Sequence, residues 1–139
     1  MTGLNGISID HLGVAVTSID EALPFYLALT GRNKANSREV IEHEQLTAVM
    51  VPVEGSRIEL LEPLTPDSVI GRFLAKRGPG LHHVAFRVAD LSAAVERLRA
   101  TGAKLLNEPK IGAGGHLYVF IHPASTGGVL IELVQEQGS

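Results

Sequence analysis

The sequence predicts an α+β fold built from two tandem β-α-β-β(-β) modules, and three observations predict it. First, the chain repeats itself. Asp10-His11-Leu12-Gly13-Val14-Ala15-Val16 reads like His82-His83-Val84-Ala85-Phe86-Arg87-Val88, each a histidine followed by an apolar, strand-like run. Second, the landmarks keep one spacing: His83 follows His11 by 72 residues, Gly102 follows Gly31 by 71, and Glu132 follows Glu59 by 73. Third, each run leads into a helical segment ending in glycine, and then into strand candidates. One helix on one small sheet has a single apolar face, so two such units bury those faces or pair their sheets. A length of 139 residues suits one domain. Module one spans about 8–63, a connector 64–80, and module two about 81–137.

The elements follow in order. After the first strand comes Ser18-Ile19-Asp20-Glu21, an S-x-x-E capping box, and Gly31 stops the helix. Pro24 removes a backbone donor just past the first turn, so a later helix start or a kink is expected there. Strands are expected at about 47–52 and 57–62. In the connector, 67–77 carries Ile70, Phe73 and Leu74 at helical spacing and is closed by Gly78-Pro79-Gly80. In module two, Leu91, Ala94, Val95 and Leu98 line one helix face between the N-cap Asp90 and the stop Gly102. Strands follow at about 117–121 and 129–134.

Composition excludes several functions. With 45% hydrophobic and 19% charged residues the chain packs a core and is not disordered. Its net charge of −3 argues against nucleic-acid and anionic-membrane partners. Aromatics are 4% and tryptophan is absent, which disfavours a stacking platform for single strands. There is no cysteine, so disulfides, thiol nucleophiles and Fe–S clusters fall away together. Any metal must be held by His, Asp, Glu or Gln. No stretch nears the roughly 18 apolar residues of a membrane span, and no basic n-region opens the chain, so the cytoplasm is the expected location.

The repeat places a histidine at the start of each module's first strand and a glutamate in its last: His11, Glu59, His83 and Glu132. Two modules related by pseudo-two-fold symmetry would bring the four toward one cleft. Two imidazoles and two carboxylates suit Co, Mn, Fe, Ni or Zn, and the carboxylates also suit Mg. Strand alternation sets Glu59 opposite Ile58 and Leu60, and Glu132 opposite Ile131 and Leu133. Taken singly, each histidine reads as a structural polar group and each glutamate as solvent-facing. The joint match under one spacing favours ligation. His82 competes with His83, but the repeat sets His83 against His11, which leaves His82 a structural role.

These modules resemble the vicinal oxygen chelate superfamily, which contains the glyoxalases. Within it, several stretches are similar to the methylmalonyl-CoA epimerase family. They are Ile58-Glu59-Leu60-Leu61-Glu62-Pro63-Leu64, Phe73-Leu74-Ala75-Lys76-Arg77-Gly78, Gly80-Leu81-His82-His83, Glu108-Pro109-Lys110-Ile111-Gly112-Ala113-Gly114-Gly115, and His122-Pro123 through Gly127-Gly128-Val129-Leu130-Ile131-Glu132-Leu133. The resemblance implies β-α-β-β-β modules forming a curved mixed sheet around a metal cleft. It implies His11, Glu59, His83 and Glu132 as ligands of a divalent ion (Co, Mn, Ni, Zn or Mg), and a homodimer. It further implies that Lys110, Gly112, Gly114 and Gly115, with Ser125 and Thr126, border an acyl-CoA pocket.

Epimerising a 2-methylmalonyl thioester means removing the α-proton and returning one to the other face. The enolate needs a Lewis acid, and the two faces need two proton-transfer groups. Glu132 is one candidate. Some family members carry a glutamate before the segment matching Met50-Val51-Pro52, where this chain has Thr47 and Ala48. Glu44 is the candidate in its place. Glu42 or a water relay is an alternative, and both glutamates also read as solvated loop charges. A glyoxalase-type isomerase of a glutathione thiohemiacetal and a metal-free binding module are the competing functions. The intact ligand set disfavours the module, and the connector and the 110–115 loop disfavour the glyoxalase. A ring-cleaving dioxygenase fits less well, since it would want three protein ligands around iron and a longer chain. The segment Ile111-Gly112-Ala113-Gly114-Gly115 lacks GxGxxG spacing after a strand, so it is no dinucleotide fingerprint; a plain loop reads as well as a ligand loop. His116 and His122 could be taken for ligands, but His122, before Pro123, reads as a turn residue; His43 reads as exposed.

Overall fold

The computed structural model describes residues 6–136 and is α+β, with three helices and eight strands among the described residues. They run β1 (Ser8–Ala15), α1 (Ile19–Thr30), β2 (Glu39–Ile41), β3 (Leu46–Val53), β4 (Ser56–Pro63), α2 (Val69–Arg77), β5 (Gly80–Arg87), α3 (Leu91–Ala100), β6 (Lys110–Ile111), β7 (Leu117–Ile121) and β8 (Ile131–Gln135). The chain forms two compact units. One is His11–His82; the other joins residues 6–10 to 83–136.

The two units share one topology. In the first, β2 pairs antiparallel with β3, β3 antiparallel with β4, and β4 parallel with β1. In the second, β6 pairs antiparallel with β7, β7 antiparallel with β8, and β8 parallel with β5. The repeat expected from sequence is therefore a repeat of β-α-β-β-β connectivity. Their cores repeat as well. Val16, Ile19, Val49 and Leu60 form a buried cluster in one unit, and Val88, Leu91, Val119 and Leu133 belong to the cluster of the other. Each buried side chain of this size contributes about 2 kcal/mol. Helices α1 and α3 cover this face of their sheets, and α2 also packs against β4.

Local signals set the helix ends. Ser18 Oγ accepts from the Glu21 amide at 3.2 Å, and the Asp90 carboxylate from the Ala93 amide at 3.0 Å. At the far ends Gly31 (φ 69°) and Gly102 (φ 89°) turn left-handed, a conformation that favours glycine. The next amides, Arg32 and Ala103, then reach back to Leu27 O and Leu98 O at 2.9 and 3.2 Å. A second cap comes from afar. The first helical amide of α1, Ile19, donates to Glu62 Oε1 at 2.7 Å, and that of α3, Leu91, donates to Gln135 Oε1 at 2.6 Å. Both acceptors sit at or near the end of their module's last strand. Glu62 also sets a negative charge at the positive end of α1.

The structure overturns the later helix start expected at Pro24. Helix α1 starts at Ile19 despite it. The lost donor is one bond, while Ser18, Glu62 and the burial of Ile19, which is 0% exposed, all hold the first turn. The last strand starts at Ile131 rather than Val129, because Thr126 and Val129 close a turn through the Thr126 hydroxyl.

In the connector, Ser68 caps α2 by accepting from the Gly71 amide at 3.0 Å. A Cβ on Gly71 would lie 2.5 Å from the Thr65 carbonyl oxygen and 2.6 Å from that of Pro66. Those are main-chain atoms and cannot swing aside. Gly71→Ala is expected to destabilise the fold by about 3 kcal/mol. Urea denaturation would check this, and an unchanged midpoint would show that the connector yields freely. Among the described residues, no helix is long and apolar enough to cross a membrane.

Candidate active site

The face of each sheet opposite its helix carries the candidate ligands, and it does so in the same way twice. In the first unit His11 and Gly13 share a strand face, and Gly13 is in register with Glu59 on β4. His11 Nε2 lies 3.3 Å from Glu59 Oε1, with the two side chains 7% and 8% exposed. In the second unit His83 and Ala85 share a face, and Ala85 is in register with Glu132 on β8. His83 Nε2 lies 3.2 Å from Glu132 Oε1, with side chains 5% and 12% exposed. A small residue thus stands beside each glutamate on the first strand of its module, and a histidine two residues before it reaches the carboxylate.

The solvent-facing reading of Glu59 is overturned, because Glu59 is buried. Alternation set it opposite Ile58 and Leu60, as expected, but its own face is covered too: Leu61, two residues on, is 3% exposed. A buried carboxylate costs free energy unless it is paired or bound to a cation. The choice between the adjacent histidines is equally plain. His83 faces Glu132, while His82 packs edge-on against Phe73 of α2 with ring centroids 5.0 Å apart.

The strands behind the glutamates complete each face. Met50 on β3 is directly opposite Glu59, and Phe120 on β7 is directly opposite Glu132. Phe120 is held by two edge-on ring contacts, to His83 at 5.5 Å and to Tyr118 at 5.8 Å. Neither Met50 nor Phe120 was singled out in the sequence. Their signal is positional: each lies in the strand before the glutamate, at the residue facing it. Asp10, just before His11 in the chain, is buried and paired with Arg87 at 3.1 Å.

The other candidates fall at these places. Glu44 ends a 3-10 turn, Glu42–Glu44, between β2 and β3. Its side chain is 34% exposed, with Oε2 3.7 Å from His43 Nε2. Gln45 closes that turn at φ 54°, a left-handed value unfavourable for a side chain like this one. Its Nε2 donates to Glu42 O at 2.7 Å, and its own carbonyl accepts from Leu64 N at 2.8 Å. Thr47 lies within β3, in register with Glu62. The glycine-rich segment is a hairpin between β6 and β7 rather than a plain loop: Gly112 N donates to His116 O at 2.8 Å. Lys110 Nζ lies 5.9 Å from the centroid of the Tyr118 ring. A Cβ on Gly112 would meet that ring at 2.7 Å, so the close approach requires glycine. Gly114 and Gly115 take φ 70° and 79°. The Ser125 hydroxyl accepts from Lys104 N at 2.9 Å, and that of Thr126 from Val129 N at 3.0 Å. Both hydroxyls therefore shape their loop. His122 has the turn role expected, its Nδ1 accepting from Ala124 N at 3.0 Å, and His43 is exposed. His116, which could be taken for a ligand from the sequence, has a buried Nδ1 with no hydrogen-bond partner among the described residues, an atom that calls for water or a ligand.

Fold and paired carboxylate–imidazole sites together define the class. The chain belongs to the Glyoxalase/Bleomycin resistance protein/Dioxygenase superfamily, whose description matches residues 10–120. Within it, the chain is 35% identical to an ethylmalonyl-CoA/methylmalonyl-CoA epimerase of Cereibacter sphaeroides, over 91% of this chain and 96% of that one. The crystal structure of a methylmalonyl-CoA epimerase from Mycobacterium tuberculosis superposes with a TM-score of 0.87 at 38% identity, covering 99% of this chain and 93% of that one. A variant Streptomyces coelicolor methylmalonyl-CoA epimerase in complex with 2-nitronate-propionyl-CoA superposes with a TM-score of 0.84 at 37% identity, covering 94% and 97%.

Proposed function

We propose that this protein is an isomerase that interconverts the 2R and 2S forms of methylmalonyl-CoA with the help of a divalent ion. The observation that carries this is the doubled His–Glu pair, its four side chains no more than 12% exposed, on the sheet face opposite α1 and α3. It occurs in a chain more than a third identical to methylmalonyl-CoA epimerases over nearly its whole length.

The donors fit such an ion. Two imidazole nitrogens and two carboxylates suit Co, Mn, Ni or Zn, and the carboxylates also suit Mg. Each pair is dry, and each presents its nitrogen and oxygen within 3.3 Å of one another. His11, Glu59, His83 and Glu132 are the proposed ligands. Bound there, the ion supplies positive charge that makes an enolate accessible at neutral pH.

The protein's own groups do the rest. Glu132 takes or returns the proton at the α-carbon. The opposite face needs its own group, and Glu44 is proposed for it. The turn that carries Glu44 is fixed by Gln45, which supports a defined position for its carboxylate. Thr47 is unsuited, since its hydroxyl is hardly acidic. Lys110, Gly112, Gly114 and Gly115, with Ser125 and Thr126, would border the acyl-CoA. On family grounds we propose a homodimer and a cytoplasmic location.

Protein supplied with cobalt or manganese is expected to exchange the α-hydrogen of methylmalonyl-CoA for solvent deuterium. Mass spectrometry of the recovered thioester reads this directly. No exchange, together with turnover of the methylglyoxal–glutathione adduct, would replace the epimerase with a glyoxalase-type isomerase.

A further inference from the structure

The two glutamates are built alike on one flank and differently on the other. On the side of β1 or β5 each meets a small residue, Gly13 beside Glu59 and Ala85 beside Glu132. On the outer side Glu59 faces Met50, and Glu132 faces Phe120. Residues directly opposite on an antiparallel pair hold their Cβ atoms about 5 Å apart on the same face. Whatever Glu59 approaches, Met50 therefore approaches too, and the same holds for Phe120 and Glu132.

These flanking side chains differ in what they can do. Phe120 is wedged edge-on between His83 and Tyr118, and the Tyr118 ring is in turn closed off by Gly112. It cannot move without moving His83. Met50 is half-buried and unbranched, with three rotatable bonds and a polarizable sulfur, so it can repack around groups of different size. A 2-alkylmalonyl thioester offers one variable apolar group, the alkyl substituent at the reacting carbon. A rigid ring cannot follow a change in its length, and a thioether can.

We propose that Met50 is a specificity-determining residue, the adjustable wall that sets how large a 2-alkyl group this protein accepts. Phe120 is a positioning residue for His83 with no part in that choice. The inference rests on the epimerase reading above, and its substrate class is the 2-alkylmalonyl thioesters of coenzyme A. A single methylene in an apolar pocket changes kcat/KM by about tenfold or more, so the effect is measurable.

The test compares kcat/KM for deuterium uptake into methylmalonyl-CoA and ethylmalonyl-CoA, using metal-loaded protein and its variants. Met50→Ala is expected to raise the ethyl-to-methyl ratio by about tenfold, and Met50→Phe to lower it by about tenfold. Met50→Leu, of similar volume, keeps the fold if either of the others fails to, and should shift the ratio less than threefold or so. Phe120→Leu should slow both thioesters alike, leaving the ratio unchanged. Ratios that stay within about twofold of wild type in both Met50→Ala and Met50→Phe overturn the proposal, as does a Phe120→Leu shift as large as theirs. Wild-type protein that exchanges neither thioester brings down the epimerase reading and this one with it.

Discussion

Alanine at His83 is expected to abolish divalent-ion binding and to lower kcat/KM about 10³-fold or more, whereas alanine at His82 should leave the ion stoichiometry unchanged. The two residues are neighbours in the chain, so composition, charge and strand propensity change equally in both variants. Only direction differs. His83 points to the face opposite α3, where its Nε2 lies 3.2 Å from Glu132 Oε1 and its ring meets Phe120. His82 points the other way and packs on Phe73. Removing an imidazole donor leaves a buried carboxylate without its partner and an ion short of one ligand. A 10³-fold loss corresponds to about 4 kcal/mol of transition-state stabilisation. His82→Ala forfeits one ring contact, about 1 kcal/mol of stability. Equilibrium dialysis against cobalt, followed by elemental analysis, separates the two. If His82→Ala alone loses the ion, the register of the repeat is off by one residue, and the ligand set with it.

That register was legible in the sequence because strand geometry is local and the chain states it twice. A single His-apolar run admits either histidine; aligning the apolar runs that follow sets His83 against His11. Caps were legible for the same reason, since Ser18 and Asp90 act on amides three residues away. What escaped the sequence lies where the cause is distant. Glu62 and Gln135 cap helices 43 and 44 residues away, and no local pattern announces such a bond. Strands β2 and β6 are three and two residues long, too short to show a period. They exist because β3 and β7 offer them an open edge. The later helix start expected at Pro24 failed because the local rule weighs only the lost donor. Taken singly, Glu59 reads as solvent-facing because alternation gives the face but not what covers it. The candidate histidines and glutamates were readable, while the Met50 and Phe120 flanks needed the antiparallel register to appear.

Glutamine at Glu132 is expected to reduce epimerisation about 10³-fold while deuterium uptake persists from one enantiomer. The shape is conserved and an oxygen donor remains, so ion binding should weaken far less than in His83→Ala. What disappears is a group able to accept a proton, a role that typically contributes 10²–10⁴-fold. The two faces of the α-carbon make the result asymmetric. With Glu132 unable to act, the group on the opposite face can still remove a proton from the enantiomer that presents it. It can then return a deuteron to the same face after exchange with solvent. That cycle labels the substrate without inverting it. Glu44→Gln should give the mirror outcome, with label retained in the other enantiomer and inversion equally lost. Deuterium content and configuration, read separately on each enantiomer, therefore assign both groups from two variants. If Glu44→Gln leaves both readouts at wild-type levels, the second proton-transfer group is another residue or a water, and the fixed turn ending at Gln45 serves only the edge of the sheet.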